Sequence, residues 1–356
     1  VEINFIILIS LFTLSAFLLQ IAVYQQKYTK LVFFLFSISI PITLSSFRNS
    51  GTDINVYRSI FHSMEGYSFS EILYTRGYFE IGDSIFIYIA NFFNSFNIYI
   101  LLYGLFTTLF ISHTIIKVSR RDLVGITFFL YLCLYFPISL NTMRQSLAVA
   151  IIVFSYKYVM KRDFLKFFML TILACQFHIS SIVILPIYFV INKDKNIRWK
   201  VVLLIAGITL ISMINYQSIF LGISHILNND RYEQYALSTL NANNNLFYFN
   251  FFLLLFFLLN LNIIKKLNKI YLFYFSLIIL GVILGLSGFI SPFIKRIAIF
   301  FDIVQIFLIP QVGILAFSKD NRYIAIFILY IFSIVYFILF YVVLRFSGFF
   351  PFYIGV

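Results

Sequence analysis

The feature that most constrains this chain is its rhythm. Apolar runs of about 20 residues alternate with short clusters of Lys and Arg. At about 1.5 Å rise per residue, a run of that length spans the roughly 30 Å of a bilayer's hydrocarbon core as a helix. A membrane barrel strand alternates apolar and polar residues over short segments. These runs are continuously apolar, so helices are expected. Soluble domains carry about 25% charged residues; this chain carries 11%, against 62% hydrophobic. That balance excludes a water-soluble enzyme, and the apolar content excludes a disordered chain. The reading is an all-α polytopic membrane protein, a single integral membrane domain over residues 1–356.

Candidate spans lie at roughly 3–24, 31–47, 97–117, 123–140, 145–160, 200–216, 246–264, 270–290, 297–317 and 323–344. The first lacks a basic flank and a small-residue cleavage site, so a retained helix is expected. Cytoplasmic loops are rich in Lys and Arg. That rule assigns Lys27 and Lys30; Lys117, Arg120 and Arg121; Lys157, Lys161, Arg162 and Lys166; Lys193, Lys195, Arg198 and Lys200; Lys265, Lys266 and Lys269; and Lys319 and Arg322 to the cytoplasm. Parity then makes 81–96 a re-entrant or interfacial helix. It makes 164–192 a short broken hairpin with its apex near His178. The expected total is about 12 transmembrane helices, with external loops 48–80 and 217–245. Cys133 and Cys175 are two isolated thiols in apolar runs, and no metal site is expected from them or from the scattered histidines.

The net charge of +13 records this topology rather than a nucleic-acid partner. Eight basic residues fall outside: Arg48, Arg58, Arg76, Arg144, Arg231, Lys295, Arg296 and Arg345. Seven are Arg, whereas Lys outnumbers Arg thirteen to five in the cytoplasmic clusters. Lys suffices for topology; the planar guanidinium fork suits bidentate binding of phosphate. External cations sit at two outward helix starts. Asn141 is placed to cap the run beginning at Gln145, with Arg144 beside it. Ser291 and Pro292 form an N-cap and first turn ahead of Lys295 and Arg296. Free N–H groups, a positive dipole end and an arginine make each start an anion site. Asp302 lies within an apolar run, seven residues after Lys295, placed to neutralise Lys295 or Arg296 or to serve a function. His178, at the break in 164–192, suits proton transfer or hydrogen bonding to an oxyanion.

Several short elements, in order along nearly the whole chain, are familiar. Arg48-Asn49-Ser50-Gly51-Thr52-Asp53-Ile54-Asn55-Val56-Tyr57 resembles the R-x-x-x-G-T-D-x-x-x-Y stretch of EpsG-like, Wzy-type polysaccharide polymerases. Asn141-Thr142-Met143-Arg144-Gln145 is similar to that family's N-x-x-R-Q element. Phe177-His178-Ile179-Ser180-Ser181 resembles its F-H-x-S-A, with Ser181 where Ala is commoner. Arg296 through Phe300 resembles a later R-x-x-x-[YF] element, and Pro351-Phe352-Tyr353 resembles a P-Y ending. The resemblance implies a bacterial inner-membrane enzyme. It would join undecaprenyl-pyrophosphate-linked oligosaccharide repeat units of O-antigen, capsule or exopolysaccharide at the periplasmic or outer face, with a chain-length regulator as a possible partner. No cofactor is implied.

On that reading, Arg144 and Arg296 are assigned to the pyrophosphate, followed by Arg48 and Lys295, since fixed cations stabilise the departing charge. Asp53 is the first candidate for the base that assists the attacking hydroxyl and His178 the second, with Glu80 and Asp83 behind them. Tyr57, Asn141, Gln145 and Glu80 complete the substrate-binding set. The rivals are a membrane glycosyltransferase fed by a polyprenyl-phosphate sugar, for which Asp53 is a fitting acid, and a lipid-linked oligosaccharide flippase.

Overall fold

The computed structural model describes residues 1–76, 80–191, 198–227, 244–289, 296–316 and 321–355. Among them, five helices are long and apolar enough to cross a membrane: Phe5–Ala22, Lys27–Ser46, Phe96–Val118, Lys269–Phe289 and Arg322–Val343. Counting Arg296–Asp302 with Gln305–Ala316 as one span bent by 43° makes six. The all-α polytopic membrane fold holds, but the expected count of about 12 does not. The reason is chiefly length. The stretches at 164–192, 200–216 and 246–264 form helices of 12 and 11, of 16 and of 15 residues, where about 20 are needed. The run at 145–160 forms a helix of 19 residues, but one that carries Arg144, Lys157 and Lys161. The stretch at 81–96, expected to be re-entrant or interfacial, forms a helix of 12 residues. The run at 123–140 is interrupted after Leu134. Pro137, in the first turn of the next helix, has no N–H with which to continue the ladder.

The helices gather into two compact units. One comprises residues 1–157, 165–182 and 309–356, the other residues 158–164 and 183–308.

Ten helices matter for the first unit: α1 (Phe5–Ala22), α2 (Lys27–Ser46), α3 (Ile54–His62), α4 (Phe69–Arg76), α5 (Ile81–Phe92), α6 (Phe96–Val118), α7 (Val124–Leu134), α8 (Phe136–Asn141), α9 (Met143–Lys161) and α10 (Phe164–Cys175). α1 packs on α2 and α7, α2 on α6, and α7 on the Arg322–Phe337 helix. Small residues set these crossings, as in membrane bundles generally. The hydroxyls of Ser15 and Ser37 each donate to the other residue's carbonyl at 2.7 Å, locking α1 to α2. Gly104 of α6 lies against the Ser45 side chain, and Gly125 of α7 against Ala16 and Gln20. The outer faces stay apolar: Phe17, Phe36 and Phe327 are each more than half exposed, a surface that lipid covers and water does not tolerate in quantity.

The ends of this unit differ in chemistry. At one, Gln20 donates to the Arg121 carbonyl, Arg121 donates to the Val23 carbonyl, and Arg322 pairs with Asp122. The basic clusters at the ends of α1, α6 and the Arg322–Phe337 helix therefore gather together. At the opposite end of α1 and α2, the Glu2–Ile3 strand pairs antiparallel with Phe352–Tyr353. The break expected near His178 is present: α10 stops at Cys175 and a 3-10 helix begins at Ile179.

In the second unit, Trp199–Ile214 and Asn245–Leu259 pack on Lys269–Gly285. Arg162 Nη1 donates to the carbonyls of Tyr188 and Ile191. Asp302, almost fully buried, accepts a hydrogen bond from Asn250 Nδ2 at 2.7 Å, and Asn250 Oδ1 accepts from Gln305 Nε2 at 3.1 Å. Gly281 makes room for the carboxylate. Much of the expected external loop 217–245 lies outside the described residues; its first part, Tyr216–Leu227, is helical.

Candidate functional site

The site grows from three breaks in the helical pattern. The first follows α2. Arg48 is buried, with Nη1 donating to the Ser45 carbonyl at 3.0 Å and Nη2 to the Leu140 carbonyl. Burial lowers its guanidinium to about 10. Gly51 follows at φ +114°, a region open to glycine but costly for other residues. A Cβ there would also run into the Asn141 side chain. Asp53, half-buried, begins α3 and accepts from the Thr52 hydroxyl at 2.9 Å. One turn on, the Tyr57 hydroxyl donates to the Asn141 carbonyl at 2.9 Å.

This loop is clasped by the C-terminal segment. The Asn49 N–H donates to the Tyr353 carbonyl and the Thr52 N–H to the Ser347 carbonyl. The Ser50 hydroxyl donates to the Pro351 carbonyl and accepts from the Tyr353 N–H at 2.6 Å. Asn141 Nδ2 also donates to the Ser347 carbonyl.

The second break separates α8 from α9. Asn141 was expected to cap the following helix; instead it ends α8 and reaches the C-terminal clasp. Thr142 takes the capping position, its carbonyl accepting from the Ser146 N–H at 2.7 Å. Arg144 thus enters on the first turn of α9, with Gln145 buried beside it.

The third break is at His178. The Gly82 N–H donates to the Gln176 carbonyl at 2.9 Å, and the Ile179 N–H donates to Glu80 Oε1 at 3.3 Å. Phe177 packs over Gly82, where a Cβ would come within 2.7 Å of its ring. These contacts fasten the start of α5 to the broken helix.

The charged side chains meet between these breaks. Arg144 Nη1 pairs with Glu80 Oε2 and stands 3.7 Å from Asp83 Oδ2. His178 Nδ1 lies 3.5 Å from Glu80 Oε1. Asp83 is fully buried: the Tyr99 and Tyr103 hydroxyls each donate to Oδ1 at 2.7 Å, and Arg76 Nε donates to Oδ2 at 3.0 Å. Burial would raise the Glu80 carboxyl, but the His178 ring and the Arg144 charge outweigh it and hold the group below its ordinary 4.5. Burial likewise pushes the Tyr57 phenol up, with Arg144 and Arg48 opposing and Asp53 and Asp83 reinforcing the shift. The loop residues and the charged cluster therefore share one electrostatic environment.

Of the residues singled out from sequence, Glu80, Arg144 and His178 come into direct contact. Arg48, Asp53, Tyr57, Asn141 and Gln145 border them. Arg296 opens a 3-10 turn, Arg296–Ala298, in the second unit and is exposed. Lys295, with Ser291 and Pro292, lies outside the described residues. Sequence reasoning ranked Asp83 low and missed Tyr99 and Tyr103. Their four-residue spacing on α6 places them on one helix face, a signal hidden inside an apolar run. Among the described residues, no group of three or more His, Cys, Asp or Glu side chains is clustered to hold a metal ion.

An all-α membrane protein with a buried arginine–carboxylate cluster at the breaks of its helices is the class that fold and site define. The EpsG family profile matches residues 31–353, nearly the whole chain, and the protein belongs to the EpsG family. Comparison with curated proteins and with solved structures gave no match.

Proposed function

We propose that this EpsG-family protein is a polysaccharide polymerase that joins lipid-pyrophosphate-linked oligosaccharide units at the outer face of the bacterial cytoplasmic membrane. The observation that carries the reading is the convergence of Arg144, Glu80 and His178 from three distant segments. They meet near the loop clasped by Phe346–Ile354, in the unit whose basic clusters gather at the opposite helix ends. By the positive-inside rule the clasped end, opposite those clusters, faces outward.

The chemistry is a substitution at an anomeric carbon. An acceptor hydroxyl oxygen forms the new C–O bond, and the bond from that carbon to the donor pyrophosphate oxygen breaks. The electron pair leaves with the lipid pyrophosphate. Arg144 stabilises that developing charge. The hydroxyl proton passes to His178, which stands beside Glu80. Asp83 does not serve as the base, since both its oxygens are occupied and it is sealed from solvent. Asp53, at the edge of the cluster, orients acceptor sugar hydroxyls together with Tyr57.

Deleting the gene in its host should abolish long-chain polysaccharide and leave single repeat units on lipid; restoring the wild-type gene should restore the ladder. Unchanged polymer in the deletion strain would overturn the reading. The rival, transfer of one sugar from a polyprenyl-phosphate donor, is favoured by the partly exposed Asp53 alone. A product longer by a single sugar would select it.

A further inference from the structure

The proposed transfer releases a group carrying more than one negative charge, and a second guanidinium stands beside Arg144. Arg76, at the end of α4, directs Nε and Nη2 to Asp83 Oδ2, at 3.0 and 2.5 Å. Arg144 Nη1 approaches the same oxygen at 3.7 Å. Two cations thus converge on one carboxylate oxygen from segments of the chain nearly 70 residues apart. Left alone, like charges this close separate. Asp83 prevents that, and it cannot swing away, because Tyr99 and Tyr103 hold its other oxygen from inside α6. Both arginines still reach the surface, with side chains 15% and 10% exposed.

We infer that Arg76 is the second pyrophosphate-binding residue of this site, and that Asp83, held by Tyr99 and Tyr103, is the positioning residue that keeps Arg76 and Arg144 together as one anion clamp. The inference rests on the polymerase reading only for its ligand, a pyrophosphate group; the arginine pair stands on geometry.

The sign of one substitution separates positioning from simple electrostatics. Asp83→Asn removes a negative charge from beside the clamp, so electrostatics alone tightens anion binding. Loss of positioning weakens it. The full chain, purified in detergent, is titrated with inorganic pyrophosphate, orthophosphate and farnesyl pyrophosphate by calorimetry, with Lys30→Gln as the control. Pyrophosphate is expected to bind at least about tenfold tighter than orthophosphate, because two guanidinium forks match two phosphate groups. Arg76→Ala and Asp83→Asn should each weaken pyrophosphate binding by about tenfold or more, with Lys30→Gln unchanged. Tighter binding of farnesyl pyrophosphate than of inorganic pyrophosphate identifies a lipid-linked ligand; equal binding identifies the free anion.

Arg76→Lys keeps the charge and loses the fork, and Tyr99→Phe with Tyr103→Phe removes only two hydroxyls. These variants carry the test if Asp83→Asn does not fold, and both are expected to bind pyrophosphate weakly. Unchanged binding in Arg76→Ala, or unchanged or tighter binding in a folded Asp83→Asn, would overturn the clamp. Failure of the wild-type gene to restore polymer would overturn the polymerase reading without touching the clamp.

Discussion

Glu80 and Arg144, 64 residues apart in sequence, form a direct ion pair at the start of α5 and α9. Glu80 holds the helix break as well, through the Ile179 N–H and the His178 ring. One carboxylate therefore ties an arginine, a histidine and a backbone break into a single arrangement.

Removing one member of a largely buried ion pair leaves the other charge uncompensated, a cost of about 3–5 kcal/mol. Arg144→Ala should lower stability by that order and abolish the polysaccharide ladder. Arg144→Lys keeps the charge and should recover most of the stability but little of the polymer. Thermal unfolding in detergent and gel analysis of the polymer check the two effects separately.

The Glu80 carboxyl is held below its ordinary 4.5, so its ionised form stabilises the native state. The sign follows from linkage. The contribution is complete above pH 4.5 and fades as the pH falls through the lower native value. Glu80→Gln should therefore be less stable than wild type at pH 7, with the gap closing in acid. Melting temperatures of both proteins from neutral pH down to pH 3 test this; a gap independent of pH would contradict it.

Gly82 sits where the chain of the broken helix crosses α5. A methyl group there meets the Phe177 ring at 2.7 Å and the Gln176 carbonyl, which is backbone, at 2.9 Å. Gly82→Ala should cost about 1–3 kcal/mol through overpacking. It should also push Glu80 away from His178 and reduce polymer formation. Unfolding measurements, with polymer length at matched expression, give the answer.

Ser50→Ala removes a hydroxyl that both donates to Pro351 and accepts from Tyr353. Leaving those groups unsatisfied costs about 1–3 kcal/mol. The C-terminal segment should loosen, read as faster modification of a cysteine introduced at Tyr353.

The membrane character was legible from the chain because it rests on bulk chemistry: continuous apolar runs and basic punctuation. The count of spans was not, since a run of apolar residues does not reveal where a helix stops. Leu134 ends a helix within a stretch that stays largely apolar. At the site, Arg144 and His178 were visible as polar residues at or near breaks in the runs, whereas Glu80 was one acid among several in the first external loop. Asn141 shows the limit. Its neighbours suggest a helix cap, but its amide reaches Ser347, 206 residues away, and a local pattern carries no trace of that contact. Arg48, assigned to pyrophosphate on its charge, directs Nη1 and Nη2 to backbone carbonyls, a use that only the fold discloses.

The clasp between the first loop and the C-terminal segment has a consequence for biosynthesis. Ser50 and Pro351 are separated by 301 residues, so the loop bearing Arg48 and Asp53 emerges from the ribosome long before its partner strand. At about 5–20 residues per second, the interval is about 15–60 s. During that time the translocon has already placed α1 and α2, while the loop after them still lacks its closing strand. Completion of this end of the protein therefore waits until the Arg322–Val343 helix and the clasping strand beyond it have been made.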